Sequence, residues 1–318
     1  MQGELARPRR EERYMKSILV TGACGFIGSY VVRALLAGGS RVLAVDHGKD
    51  MRELLREASG GAESLPSERL RTADLDLTDA EAVRAFAEAA PHVDAVIHLA
   101  ASLSMTGDSS LIVNCLGTNH VVELTNRLGA EQLIYMSSIP VIGTPEHIPV
   151  TESHPVAPKT VYHISKLAGE QMVAALTAPS VRTLIFRISS PIGVGMNPRN
   201  FLTFLIRQCR ENEPVTLYGR GARVQNYIDV RDIADTLAKA VGTDAEGLYL
   251  LAGESASNLE LAELVKRETG SWSDIVPSDR PDPEAADRWV ISAEKAARDL
   301  GFSPKHTLAD SVRWILDA

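Results

Sequence analysis

Short apolar runs alternate with longer helical patterns through the first 190 residues of the chain. Ile18-Leu19-Val20 is followed by a helical pattern, and a second apolar run then closes on Asp46. A polar helix is expected over Met51–Glu57, then a Gly/Ser/Glu loop and a strand at Arg69–Leu75. Thr78 with Asp79 caps a helix reaching Ala90. Asp94–Ala101 reads DAVIHLAA, the near-continuous apolar run of a strand covered on both faces of a parallel sheet. A long helix is expected over Ser109–Leu128, a strand over Gln132–Ser137, a helix over Thr160–Leu176 and a strand over Val181–Ile188. Regular alternation of strand and helix predicts an α/β fold, a doubly wound parallel sheet. Beyond Ser189 the rhythm breaks into helices at Phe201–Arg210, Arg231–Val241, Leu259–Glu268 and Leu308–Leu316, a strand at Leu248–Leu251 and further short strands. That portion reads as a smaller, mixed α/β C-terminal lobe.

The turn after the first strand carries the most specific chemistry. Gly22, Gly25 and Gly28 stand between a strand and a helix, and a second strand ends on Asp46, eighteen residues after Gly28. This is the unit that holds a dinucleotide, a Rossmann domain. Gly22 suits a tight turn, Gly25 lets a pyrophosphate approach the backbone, and Gly28 lets helix and sheet pack closely. The helix N-terminus at Phe26 and Ile27 offers unpaired N–H groups and a partial positive charge to an anion. Asp46 is placed to accept hydrogen bonds from a ribose diol; a 2′-phosphate would meet a like charge there, which favours NAD over NADP. Expected boundaries are an N-terminal arm over 1–15, an NAD-binding domain over 16–188 and a substrate-binding lobe over 189–318. Residues 226–243 are expected to return to the first domain.

Composition narrows the partners. The 318 residues are 45% hydrophobic and 23% charged, enough for one large or two modest cored domains. A net charge of −8 disfavours nucleic acid and anionic membranes as main partners. No apolar stretch has the length of a membrane span. Cys24, Cys115 and Cys209 lie far apart without ligand spacing, so neither a disulfide framework nor a metal site is indicated, and a reducing cytoplasm is the simplest compartment. Arg7, Arg9, Arg10 and Arg13 fall in the polar arm.

Tyr162 and Lys166 stand four apart in a helical segment, so both project from one face. A free phenol titrates near ~10, too high for a base at neutral pH, and a neighbouring ammonium is expected to lower it. The pair follows a strand ending in Met136-Ser137-Ser138, at the sheet edge where such folds bind ligands. Ser138 is the candidate hydrogen-bond partner of the reacting oxygen. His98 is expected to be a packed core histidine, His163 to point elsewhere, and Asn114 to make a structural hydrogen bond.

In order, the chain presents Thr21-Gly-x-x-Gly-x-x-Gly28, Asp74-Leu75, His98–Ala101 as HLAA, Asn114-x-x-Gly117-Thr118, the Ser-Ser loop to Gly143, Tyr162-x-x-x-Lys166, Arg187-x-x-x-Pro191-x-Gly193 and Leu300-Gly301-Phe302-x-Pro304. This set resembles the extended branch of the short-chain dehydrogenase/reductase superfamily, within its sugar-nucleotide epimerase and dehydratase group. The resemblance implies that Asp74 and Leu75 hold the adenine and that Leu99, Ala100 and Ala101 line the cofactor path. It makes Tyr162 the acid/base, Ser138 its partner at the substrate oxygen, and Lys166 also a ligand of the nicotinamide ribose. Ser189, Ser190 and Pro191 would lie beside the nicotinamide and substrate, Ser190 standing where many relatives carry asparagine. It further implies a homodimer through the helices at Ser109–Leu128 and Thr160–Leu176.

Departures from the pattern matter as well. Ile139 and Pro140 follow Ser138 where relatives that eliminate water carry acids, which disfavours a 4,6-dehydratase. Gln225 replaces the usual diphosphate-binding arginine; Arg223 could reach in its place and Arg280 matches a second phosphate position, or both are solvated surface charges. The loop from Ser102 to Ile112 is short. The leading expectation is an NAD-dependent epimerase of a nucleotide-linked sugar: Tyr162 takes a hydroxyl proton while hydride leaves carbon, the ketone turns, and hydride returns to its other face. The alternatives are an NAD(P)-dependent ketoreductase or dehydrogenase acting on a keto sugar or other carbonyl compound, and a non-catalytic NAD-binding protein.

Overall fold

The computed structural model describes residues 15–48, 51, 68–105 and 107–318. Most of the expected Met51–Glu57 helix, the loop after it and the arginines of the arm lie outside those residues. Strands β1 (Ser17–Thr21), β2 (Arg41–Asp46), β3 (Leu70–Asp74), β4 (Ala95–His98), β5 (Gln132–Ser138), β6 (Arg182–Ile188) and β10 (Gly247–Leu251) form one sheet in the order β10-β6-β5-β4-β1-β2-β3. Every pairing in it is parallel.

Strand alternation sends successive side chains to two separate cores. Ile18, Val20, Ile134 and Met136 face helices α1 (Phe26–Ala37) and α6 (Val230–Ala240). Leu19, Leu133 and Tyr135 face α2 (Ala80–Ala89), α3 (Gly117–Leu128) and α4 (Val161–Leu176). Because both faces are covered, Ile18, Leu19 and Val20 are all fully buried, and the strands read as apolar runs. The cap of α2 is Asp79 alone, accepting from the N–H groups of Glu81 and Ala82; Thr78 bonds Asp76 instead. Ahead of α3, residues Ile112–Leu116 form a π-turn.

The C-terminal residues build two small sheets, β11-β9-β7 and β12-β8, around a third core with Leu205, Leu261, Val265 and Val312. These strands are β7 (Ser190–Ile192), β8 (Val215–Leu217), β9 (Val224–Asp229), β11 (Glu254–Ser257) and β12 (Ile275–Pro277). Helices α5 (Phe201–Glu211), α7 (Asn258–Thr269) and α9 (Leu308–Leu316) cover this core, while α8 (Glu294–Leu300) packs on β10. The return to the first sheet extends beyond the expected 226–243, since β10 adds its edge strand beside β6. An aromatic joint links the halves: Tyr30 of α1 meets Phe26 and Trp314 edge to face, and its hydroxyl donates to the Val194 carbonyl at 2.9 Å. The Arg231 guanidinium lies 3.8 Å from the Trp314 ring centroid while pairing with the buried Asp229 carboxylate.

Candidate active site

The glycine turn has room only for glycine at two of its three positions. Gly22 sits at φ +67°, and a Cβ there would stand 2.6 Å from the Ala100 nitrogen. A Cβ on Gly28 would fall 2.0 Å from the Gly22 carbonyl oxygen, so Gly28 packs against the turn itself rather than the sheet. Gly25 is exposed, caps α1 without a side chain, and leaves the first-turn N–H groups at Phe26 and Ile27 free of a capping acceptor. One Asp46 carboxylate oxygen accepts the Cys24 N–H at 2.8 Å and the other accepts the His47 N–H at 2.9 Å, which pins the carboxylate to the turn. Burial and Asp46 push the Cys24 thiol up to about 12, so it carries no thiolate.

Asp74 is exposed at the end of β3, where it accepts from the Gly48 N–H at 3.1 Å. Leu75 is 6% exposed and its side chain belongs to the core, so of the two it is Asp74 whose side chain is presented at this edge, bonded to His47 and Gly48. Leu99, Ala100 and Ala101 are half-buried just past β4, with the Leu99 N–H donating to the Thr21 carbonyl. A bare backbone cradle at a helix N-terminus, an anchored carboxylate one strand away and a half-buried apolar path fit a dinucleotide such as NAD.

Thr160 caps α4 and places Tyr162 and Lys166 in its first two turns. Lys166 is 2% exposed, with its ammonium 4.7 Å from the Tyr135 ring centroid, and the Tyr135 hydroxyl donates to the Lys166 carbonyl at 3.3 Å. The Tyr162 phenol is half-buried and has no hydrogen-bond partner among the described residues. Here the structure corrects the expected ordering of effects. Burial pushes the phenol up to about 12, and it pushes Lys166 down to about 7 against the opposing pull of Glu170. Both groups therefore sit away from their solution values, and perturbed values of this kind cluster at functional sites.

His98 is a packed histidine, as its position implies. Its ring nitrogens sit 2.7 Å from the Thr21 hydroxyl and 3.0 Å from the Thr118 hydroxyl. Burial and Lys166 hold it down to about 3, so it is neutral. His163 turns to Thr160. Asn114, in the π-turn, accepts the Ser102 N–H at 2.7 Å and donates to the Ser102 carbonyl and the Ser165 hydroxyl. Ser165 in turn donates to the Tyr162 carbonyl at 2.7 Å, so Asn114 ties the loop after β4 to the turn that carries Tyr162. Ser138 ends β5, half-buried, with no hydrogen bond to Tyr162.

On the C-terminal side, Ser190 and Pro191 are half-buried in β7. Ser189 is 6% exposed and its buried hydroxyl has no partner. Arg223 pairs with Glu284 at 2.5 Å, its Nε buried and unpartnered. Arg280 donates to the Tyr218 hydroxyl at 2.8 Å and stacks 4.6 Å from that ring. A cavity of about 630 Å³ opens between Gly25, Phe26, Tyr30, Arg33, Arg231 and Trp314, beside the aromatic joint rather than over Tyr162.

Sequence reasoning missed the groups behind Lys166. Ser137, Glu170 and Arg187 form a buried cluster that no single-residue signal announced. Glu170 does lie four residues past Lys166, on the same helical face.

The sequence profile of the NAD dependent epimerase/dehydratase family matches residues 18–251. The chain belongs to this family. Members of known name resemble it over nearly their whole length. The UDP-glucose 4-epimerase of Bacillus subtilis is 29% identical over 333 residues, covering 94% of this chain and 96% of its own. The dTDP-glucose 4,6-dehydratase of Streptomyces niveus is 28% identical, covering 94% and 93%. The crystal structure of Thermus thermophilus UDP-glucose 4-epimerase complexed with NAD superposes with a TM-score of 0.78 at 29% identity, covering 95% of this chain and 98% of that one. The family's cofactor is the one the glycine cradle and Asp46 accommodate.

Proposed function

We propose that the protein inverts a hydroxyl-bearing carbon of a nucleotide-linked sugar through a transient ketone, with NAD as its cofactor. The observation that carries this is the placement of Tyr162 and Lys166 one helical turn apart beside Tyr135 of β5, in a chain whose glycine turn fits a dinucleotide. Tyr162 takes the proton of the substrate hydroxyl and returns it, with Ser138 hydrogen-bonded to the same oxygen. Lys166, as ammonium, stabilises the phenolate that forms. NAD, when bound, supplies the reversible two-electron oxidation. Gly22, Gly25, Phe26, Ile27, Gly28, Asp46, Asp74, Leu99, Ala100, Ala101 and Pro191 hold it, and Lys166 also meets its ribose. Ser189, Ser190, Arg223 and Arg280 serve the nucleotide sugar.

Epimerisation is favoured over dehydration because the residues after Ser138 are apolar. Ile139, Val141 and Ile142 are buried in a small core with Trp289, and none of residues 139–142 carries a carboxylate to remove a second proton. The UDP-glucose 4-epimerases of Bacillus subtilis and Thermus thermophilus support a UDP-hexose as first substrate to try. The purified protein is expected to interconvert UDP-glucose and UDP-galactose, followed by proton NMR, without net change in NADH absorbance. Steady NADH oxidation with a keto substrate and no epimer exchange with any nucleotide hexose would replace this reading with a reductase.

A homodimer is part of the proposal. Leu111, Ile112 and Leu116 before α3, and Ile164 and Leu176 on α4, are 43–52% exposed on neighbouring helical segments. Light scattering is expected to give twice the chain mass, and Ile112→Asp with Leu116→Asp to halve it; a monomeric wild type at micromolar concentration would discard the dimer. Among the described residues no helix is long and apolar enough to cross a membrane. Free Cys24, Cys115 and Cys209 support a reducing compartment such as the cytoplasm.

A further inference from the structure

Among the described residues, the pair Arg187–Glu170 is the only ion pair with both side chains about 5% exposed. The Arg187 fork donates from Nε to one Glu170 oxygen at 2.9 Å and from Nη2 to the other at 2.7 Å. Ser137 donates its hydroxyl to Glu170 at 2.5 Å. Ser137 and Arg187 are register partners on β5 and β6, so the carboxylate is clamped from two strands at once. Its own helix carries Lys166 one turn earlier, on the same face.

The charged and titratable groups around the Lys166 ammonium come from five directions. From α4 come Tyr162 and Glu170, and from β5 comes Tyr135, a neutral phenol under the ammonium. His98 on β4 is neutral between two threonine hydroxyls. Cys115, before α3, reaches the Ser165 carbonyl as a thiol that burial keeps protonated. Arg187 on β6 pairs with the Glu170 carboxylate through both nitrogens of its fork. Glu170 is thus the one anion facing a cation that burial pushes toward its neutral form.

We infer that Glu170 is a positioning residue: clamped by Arg187 and Ser137, its carboxylate keeps Lys166 in the ammonium form behind Tyr162. The inference rests on the role given above to Tyr162 and Lys166. A purely structural staple, tying α4 to β5 and β6, would leave the titration of Lys166 untouched.

The test follows the Lys166 side chain itself, by NMR of the full chain labelled with ¹³C at lysine Cε, without substrate, the resonance being identified by its loss in Lys166→Met. In Glu170→Gln the Lys166 midpoint is expected to fall by about one pH unit or more. The double variant Glu170→Gln/Arg187→Gln, which leaves no lone buried guanidinium to repel the ammonium, is expected to fall in the same direction but by less. Glu170→Asp keeps the charge but withdraws it, and lies between wild type and Gln. The alkaline loss of turnover moves with the midpoint: for a shift of one unit, turnover at the wild-type midpoint drops about fivefold in Glu170→Gln, recovers at lower pH, and KM stays within about twofold. A Lys166 midpoint unchanged in any variant that folds, Glu170→Asp included, overturns the inference. So does a pH profile lowered uniformly without displacement. Because the titration needs no substrate, failure to find epimerisation leaves it intact, and an unmoved midpoint leaves the epimerase reading intact.

Discussion

Tyr162→Phe is expected to reduce turnover about a thousandfold while leaving NAD affinity within about twofold. The substitution removes one hydroxyl and nothing else. That hydroxyl has no hydrogen-bond partner among the described residues, so its loss orphans no donor or acceptor, and the ring keeps its place against His163. Stability is accordingly expected to change by less than about 1 kcal/mol. The measurement is kcat with the nucleotide sugar, alongside cofactor titration and a thermal melt. A variant that retained a tenth of wild-type turnover would remove Tyr162 as the acid/base. Burial pushes the phenol up to about 12, so in the proposed mechanism the phenolate form needs the Lys166 ammonium rather than an intrinsically acidic phenol.

Gly28→Ala is the second large effect, and two principles disagree about its sign. Alanine is the better helix former, by roughly 1 kcal/mol in an exposed helix. Here the added Cβ would lie 2.0 Å from the Gly22 oxygen and 2.9 Å from the Ala23 Cα. Both are backbone atoms, and Gly22 is already held against Ala100, so neither can give way cheaply. Steric overlap wins: a loss of about 3 kcal/mol or more is expected, together with NAD binding, because the first turn of α1 must move. Gly25→Ala is the control. Its Cβ meets only the Gly22 oxygen, at 3.1 Å, on an exposed residue, so the fold survives while the cofactor is hindered. Denaturant unfolding and NAD titration separate the two; a Gly28→Ala protein as stable as wild type would mean that the turn is not what holds the helix in place.

Burial explains most of what could not be read in advance. Tyr162 and Lys166 were legible as a pair because a spacing of four is a local property of a helix. Their protonation was not, because it depends on how much water the surrounding strands exclude, and that exclusion reversed the expected direction for the phenol. Likewise Arg223 was legible as an available guanidinium near a departure at Gln225, yet the fold brings Glu284 against it from 61 residues away.

The sequence by itself determined the local elements and the cofactor cradle. Apolar runs named β1, β2, β4, β5 and β6, caps and periodicity named the helices, and three spaced glycines with Asp46 specified a dinucleotide turn. Each of these is written in the φ/ψ preferences and side-chain periods of contiguous residues. Only the tertiary structure decided that β10 joins the first sheet, that Trp314 and Arg231 bolt the C-terminal helix to α1, and that Glu170, Arg187 and Ser137 converge behind Lys166. These depend on strand order and on which charges end up beyond the reach of water, quantities fixed by long-range packing and carried by no short stretch of chain.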